Sequence, residues 1–258
     1  MRIQLLVATM MQEDHSLLDK MNIQTDAIIC NQGEHNKFEH FLWNGHQIDW
    51  LSFHERGVGL NRNNALMRAD ADIVLFADDD MVYEDGYADL VRRAYERLPD
   101  ADIIIFNLKN RGDQRTITDQ DRRVTWHNYM RYGAAQCSAR LNKIRLNGIS
   151  FNLCFGGGAK YSYGEDTLFL TQCLKAGLKI YHAQDFIAEL KEERESTWFE
   201  GYTDQFFRDK GLLYRIISRK FWRLLCIQDA VRHRRLYERK WTESLKPMIA
   251  GGKMYTDL

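Results

Sequence analysis

Three consecutive carboxylates, Asp78, Asp79 and Asp80, follow the apolar run Ile73-Val74-Leu75-Phe76. A short β-rich run of that kind suits a strand buried on both faces. In open α/β sheets, ligands gather at the carboxyl ends of such strands. Adjacent carboxylates repel one another, so a fold that draws them together calls for a cation. Hard oxygen donors suit Mg2+ or Mn2+, which take one or two carboxylates plus substrate phosphates. A solvated acidic turn is the plainer alternative from this triplet alone. A second cluster lies further on, where Gly156-Gly157-Gly158 is followed within ten residues by Glu165-Asp166. Glycines let a ligand come close to the backbone. A helix over 166–176 places Glu165 and Asp166 at its N-terminus, where the helix dipole favours a carboxylate. An acidic N-cap would explain the same pair.

The elements that must position these groups alternate. Strands are predicted over Ile3–Thr9, Thr25–Cys30, Ile73–Phe76, Asp102–Asn107, Ile149–Phe155 and Leu178–His182. Asn31-Gln32-Gly33 after the second strand also reads as a simple turn. Phe38–Phe53 is aromatic and irregular, and reads as one short strand and a loop. Helical spacing runs over Asn61–Ala69 and Glu84–Leu98, the latter closed by Pro99. Ser138–Leu146 reads as a helix with a basic face, and 109–123 as a loop or hairpin. This alternation predicts an α/β fold up to His182.

The chain has 258 residues, 45% of them hydrophobic, which suits one α/β domain with an appendage. Its net charge of zero hides an asymmetry. Residues 201–258 hold 13 Lys/Arg against 6 Asp/Glu, and the preceding 200 hold 23 against 30. The tail reads as mostly helical over Asp204–Lys240, with Leu212, Leu213, Ile216, Ile217, Phe221, Trp222, Leu224 and Leu225 among many arginines. A basic amphipathic helix of that composition fits an anionic membrane surface. Packing of its apolar stripe on the body is the other reading. The acidic body and the lack of a recognised module disfavour nucleic acid. Five cysteines without Cys-x-x-Cys spacing read as reduced thiols, which favours the cytosol. The run Ile3–Met11 is too short for a signal peptide, and no apolar stretch spans a membrane.

Asn61-Arg62-Asn63-Asn64-Ala65, the apolar strand and Asp78-x-Asp80 together resemble the inverting family 2 glycosyltransferases of the GT-A fold. Phe155-Gly156-Gly157-Gly158 and Gly164-Glu165-Asp166-Thr167 resemble that family's acceptor-side turn and Glu-Asp pair. The resemblance covers roughly residues 1–190. With Ser196-Thr197-Trp198-Phe199 and Gly201-Tyr202, the chain closely resembles transferases that build bacterial surface polysaccharides. The resemblance implies a Rossmann-like GT-A domain with a mixed, mostly parallel sheet over 1–190 and a helical, basic appendage over 191–258. It also implies a nucleotide-sugar donor, a UDP-sugar by preference, and a saccharide or lipid-linked saccharide acceptor.

The residue roles that follow are these. Asp166 is the general base. Asp78 and Asp80 hold Mn2+ or Mg2+. Thr9, Asn31, Arg62, Asn64, Asp78 and Asp79 line the donor, with Arg62 on the diphosphate through bidentate bonds. Gly157, Gly158 and Glu165 meet the acceptor. A solvated helix arginine is the alternative for Arg62. His182 is a candidate third metal ligand, although a structural histidine suits it better. The chain departs from the family at Ala8-Thr9-Met10-Met11-Gln12, where a Pro-x-Tyr-Asn turn is usual, and at Asn31, where an Asp is usual. Those departures leave room for a non-catalytic, membrane-peripheral saccharide-binding subunit. Either protein would sit in the cytoplasm, peripheral on the inner face of the plasma membrane.

Overall fold

Strand β1 (Ile3–Met10) is buried along almost its whole length, because it lies at the centre of a sheet covered on both faces. In the computed structural model, which describes residues 1–109, 116–191 and 201–254, β1 pairs in parallel with β2 (Asp26–Gln32) and β5 (Ile73–Asp78). Beyond β2 lie β4 (His46–Phe53), parallel, and β3 (Lys37–Trp43), antiparallel to β4. On the other side, β9 (Cys137–Arg140) runs antiparallel between β5 and β7 (Ile103–Lys109). Then comes β10 (Ile180–Leu190), parallel to β7, which also pairs with the short strands β6 (Met81–Tyr83) and β8 (Arg122–Val124). The described residues thus form an α/β fold around one mixed, ten-stranded sheet.

Side chains alternate across the sheet, so β1 feeds two cores. Ile3, Leu5 and Val7 pack with Leu17 and Leu18 of α1 (Leu17–Lys20) and Tyr87, Val91 and Ala94 of α3 (Tyr87–Arg97). Leu6 faces the opposite way, toward Ala65 and Leu66 of α2 (Val58–Arg68). That second core also takes in Leu141 and Ile144 of α4 (Leu141–Leu146) and Phe169 and Leu170 of α5 (Glu165–Lys175).

Several predicted elements take a different form. Phe38–Phe53 is a full hairpin. Asn44 and Gly45 sit at its tip with φ of 48° and 84°, the Asn-Gly turn that suits two tightly connected strands. Ser138 and Ala139 belong to a strand, and helix begins only at Leu141. Burial between β5 and β7 overrides any helical preference of that short stretch. Ile149–Phe155 is not a strand. The side chain of Asn63 takes both backbone groups of Phe151, donating to its carbonyl at 2.9 Å and accepting from its N–H at 2.8 Å. A helix side chain thereby replaces the neighbouring strand. Residues 110–115 of the loop or hairpin expected over 109–123, and the motif at 196–199, lie outside the described residues.

The tail forms three helices, α6 (Asp204–Ile217), α7 (Trp222–Arg232) and α8 (Trp241–Lys253). Leu212, Leu213, Ile217, Trp222, Cys226 and Met248 bury a third core there, joined by Phe155 and Leu168 from the body. The cysteines are free, and all but Cys154 are buried. No helix among the described residues is long and apolar enough to cross a membrane.

Asp229 anchors α7 to this core. It is 5% exposed and accepts from Lys210 of α6 at 2.9 Å, from His233 at 2.8 Å and from the Tyr237 hydroxyl at 2.8 Å. Burial disfavours its charge, but His233 and Lys210 outweigh that and hold its carboxyl down at about 2. A lone buried charge is far costlier than a paired one, so Asp229→Ala, which strands Lys210, should cost about 3–5 kcal/mol in urea unfolding. A loss below ~1 kcal/mol, the size of an exposed pair, would show that the anchor is solvated.

Candidate active site

Helix α2 enters the site because three asparagines fix its register. Asn61 donates to the Cys30 carbonyl of β2 at 2.7 Å, Asn63 holds Phe151, and Asn64 donates to Glu55 at 2.9 Å. The first helical N–H, of Val58, is satisfied by the Gly157 carbonyl at 2.9 Å, so the glycine turn caps a helix that has no capping side chain. Held this way, α2 drives Arg62 into the interior, where its side chain is 4% exposed.

Arg62 is the hub of the site. One terminal nitrogen donates to Asp78 Oδ1 at 2.7 Å. The other donates to Asp166 Oδ1 at 2.7 Å and lies 3.4 Å from Glu165 Oε1. Its guanidinium sits 5.3 Å from the centroid of Phe151, whose ring stacks on Phe169 with both edge-on to Phe76. Burial works against the charge, yet Asp78, Asp166 and Glu165 together raise the Arg62 pKa above its ordinary value. The diphosphate contact expected of Arg62 is a different task from this one, because both terminal nitrogens are given to carboxylates.

The predicted pairs therefore converge from opposite ends of the chain. Asp78 ends β5, and Glu165 and Asp166 open α5. Asp78 is 41% exposed, Asp166 26% and Glu165 14%, so the two aspartates face the solvent-accessible side and the glutamate lies beneath. Asp166 Oδ1 is committed to Arg62. Its Oδ2 lies beside Gly133, where an added Cβ would approach to 3.2 Å. Gly156 adopts φ of 104°, and a Cβ there would come within 2.7 Å of the Glu165 carboxyl carbon. Gly156 and Gly133 thus shape the pair, and the sequence marks only the first of them.

On the other side of Asp78, Thr9 at the end of β1 donates to Asp79 Oδ2 at 2.6 Å. Gln12 donates to the same hydroxyl at 3.0 Å. Asn31 accepts from the Gln12 backbone N–H at 3.1 Å and donates to its carbonyl at 3.0 Å, so its amide shapes the turn after β1. Gln12 replaces the expected family turn as the organiser of this corner, and nothing in its sequence context marks it. Asn64 is turned to Glu55 and Arg68, away from the Arg62 hub. His182 is 2% exposed inside β10, with its Nδ1 3.1 Å from the Tyr132 hydroxyl and its backbone in register with Ile105 and Arg122. That is a structural histidine.

Among the described residues, no three His, Cys, Asp or Glu side chains converge as a metal cluster. Asp78 and Asp80 offer two carboxylates at a strand end. Asp80 is exposed, and its backbone carbonyl is tied to Lys191 at 2.9 Å. Two hard oxygen donors, with phosphate and water completing the shell, is the usual complement for Mg2+. Carboxylate oxygens are the kind of donor that this ion and its close analogue Mn2+ take, and Arg62 already holds Asp78 Oδ1.

A family model described as glycosyl transferase family 2 matches residues 16–155. The match begins after β1 and stops ten residues before Glu165. Among solved structures, residues 1–349 of TarS from S. aureus in complex with UDP-GlcNAc are 12% identical, with a TM-score of 0.65, over 100% of this chain and 92% of that one. The same protein in complex with UDP is 17% identical, with a TM-score of 0.62, over 91% and 72%. A longer TarS structure is 15% identical, with a TM-score of 0.62, and this chain covers 44% of it. At these identities the likeness is one of fold. No curated protein matches.

Burial lifts the Glu165 carboxyl from its ordinary 4.5 to about 7, and the Asp166 charge adds to the rise against the pull of Arg62. Between those two values the folded protein holds a proton that the unfolded chain has released. Stability should therefore fall as pH rises from about 4.5 to 7. Glu165→Gln should remove that slope and gain on the order of 1–3 kcal/mol at pH 8 relative to the parent. Parallel melting-temperature profiles for parent and variant across this range would refute a buried, proton-holding Glu165.

Proposed function

Because the chain belongs to glycosyl transferase family 2, we propose that it moves a hexosyl group from a nucleotide-sugar to a hydroxyl of a saccharide or lipid-linked saccharide, in surface-polysaccharide synthesis. The fold shared with TarS in complex with UDP-GlcNAc and with UDP supports a UDP-sugar as donor. The observation that carries the reading is that Asp78 and Asp166 grip one buried guanidinium. The carboxylate assigned to the donor and the one assigned to the acceptor thus lie on either side of a single rigid group.

The reaction is a single displacement. The acceptor oxygen attacks the anomeric carbon from the face opposite the diphosphate. The bond from that carbon to the diphosphate oxygen breaks, its electron pair leaves with the phosphate, and configuration inverts. Asp166 takes the hydroxyl proton on Oδ2, the oxygen that Arg62 does not hold. Arg62 acts through the two aspartates rather than on the diphosphate, by fixing their rotamers. Asp78 and Asp80 would hold Mn2+ or Mg2+, which when bound supplies charge neutralisation at the leaving diphosphate. Thr9, Asp79 and Asn31 support the nucleoside end, where Gln12 shapes the turn, and Asn64 steadies α2. Gly157, Gly158 and Glu165 border the acceptor.

Asp166→Asn should lower transfer by about 10²- to 10⁴-fold, the usual contribution of a positioned base, with donor affinity unchanged. Steady-state turnover and isothermal titration of UDP-sugar on one sample check both halves. Turnover at the parent rate would remove Asp166 as the base, whereas a parent that shows no turnover would favour the non-catalytic saccharide-binding subunit.

Asp80→Ala addresses the metal separately. It should abolish the Mn2+-dependent part of UDP binding while leaving the fold intact, because the Asp80 side chain is exposed. Equal UDP affinity in parent and variant, with Mn2+ or with chelator, would remove the metal assignment.

A further inference from the structure

We propose that the outer face of α7 docks on an anionic lipid surface. The apolar residues of α6 that read as membrane-facing in sequence are spent inside the protein: Leu212, Leu213 and Ile217 are buried in the third core. What remains outside is a stripe on α7. Leu224, Ile227 and Val231 recur at i, i+3 and i+7 with exposures of 61%, 41% and 44%, and Phe221 extends the stripe at its N-terminal end. At 100° per residue these side chains lie opposite Trp222, Cys226, Asp229 and Ala230, the buried face of the same helix. The Asp229 anchor therefore fixes which face points outward.

Cations flank the stripe. Arg223 lies along one edge and Arg232 along the other, Lys220 precedes the helix, and Arg234 and Arg235 follow it, all of them exposed. The single acidic residue of α7, Asp229, is buried on the far side. An apolar stripe between two cationic margins is the pattern of a helix lying in a lipid interface, with apolar groups among the acyl chains and guanidinium groups at the phosphates. A second copy of this chain fits poorly, since apposing two such faces sets arginine against arginine. The inference rests on the tail alone and holds whatever reaction the body performs.

Co-sedimentation of the full chain with phosphatidylcholine vesicles, with and without phosphatidylglycerol, tests the proposal. Binding should require the anionic lipid and fall steeply with added salt. Leu224→Glu combined with Ile227→Glu should abolish it at an unchanged melting temperature, because both side chains are exposed. Arg223→Gln and Arg232→Gln should each weaken partitioning roughly fivefold. Equal binding to neutral and anionic vesicles would overturn the proposal, as would binding that survives the double Glu variant. Self-association in solution that the double Glu variant disrupts would assign the face to a second copy and overturn it as well.

Discussion

A buried guanidinium needs negative charge close by, and Asp78 and Asp166, far apart in the chain, supply it to Arg62 at 2.7 Å each, with Glu165 3.4 Å away. Without them the guanidinium would be an uncompensated buried charge, worth about 3–5 kcal/mol of instability. The guanidinium therefore demands the carboxylates, and that demand fixes the relative placement of α2, β5 and α5. The asparagine clamps follow from the same need. A helix that slipped by one residue would turn its arginine about 100° away from the aspartates, so Asn61, Asn63 and Asn64 tie it to β2, to the Phe151 loop and to Glu55.

This bears on what was legible in the sequence. Clustered carboxylates do call for a cation, and Asp78, Asp79 and Asp80 announce that need. The cation the fold itself provides is Arg62, sixteen residues upstream and deep in the core. A helix arginine gives no sign of its burial in a one-dimensional pattern, because burial depends on Phe151 and Phe169 packing beneath it from much later in the chain. Glu165 and Asp166 were readable as a helix start. Their division into a more deeply buried glutamate below and a half-buried aspartate above was not, since Gly133 and Gly156 set it from outside the helix.

The fold was legible where hydrophobic period and burial agree. β1, β2, β5 and β7 are long apolar runs in the parallel part of the sheet, and α3 and α5 begin within three residues of their predicted starts. It was illegible where a partner decides the conformation. Cys137–Arg140 is a strand because β5 and β7 leave a gap for one. Residues around Phe151 are not a strand because Asn63 has taken their hydrogen bonds. In the tail, one apolar-basic pattern covers both α6, which is swallowed by the third core, and α7, which is covered on one side only. Composition cannot separate these two, but the packing does.

The third core holds one further contact of consequence. Gly164, the residue that opens α5, lies against Leu213 of α6, where a Cβ would come within 2.9 Å of the leucine methyl groups. A nascent chain emerged only as far as Leu190 already contains the ten strands of the described residues, Arg62, Asp78, Asp166 and Glu165. It lacks the leucine that seats the start of α5, and it leaves Phe155 and Leu168 uncovered. During synthesis the sheet can assemble well before the geometry around Asp166 is secured. The seat of α5 is thus completed by the tail helices and not by the body alone.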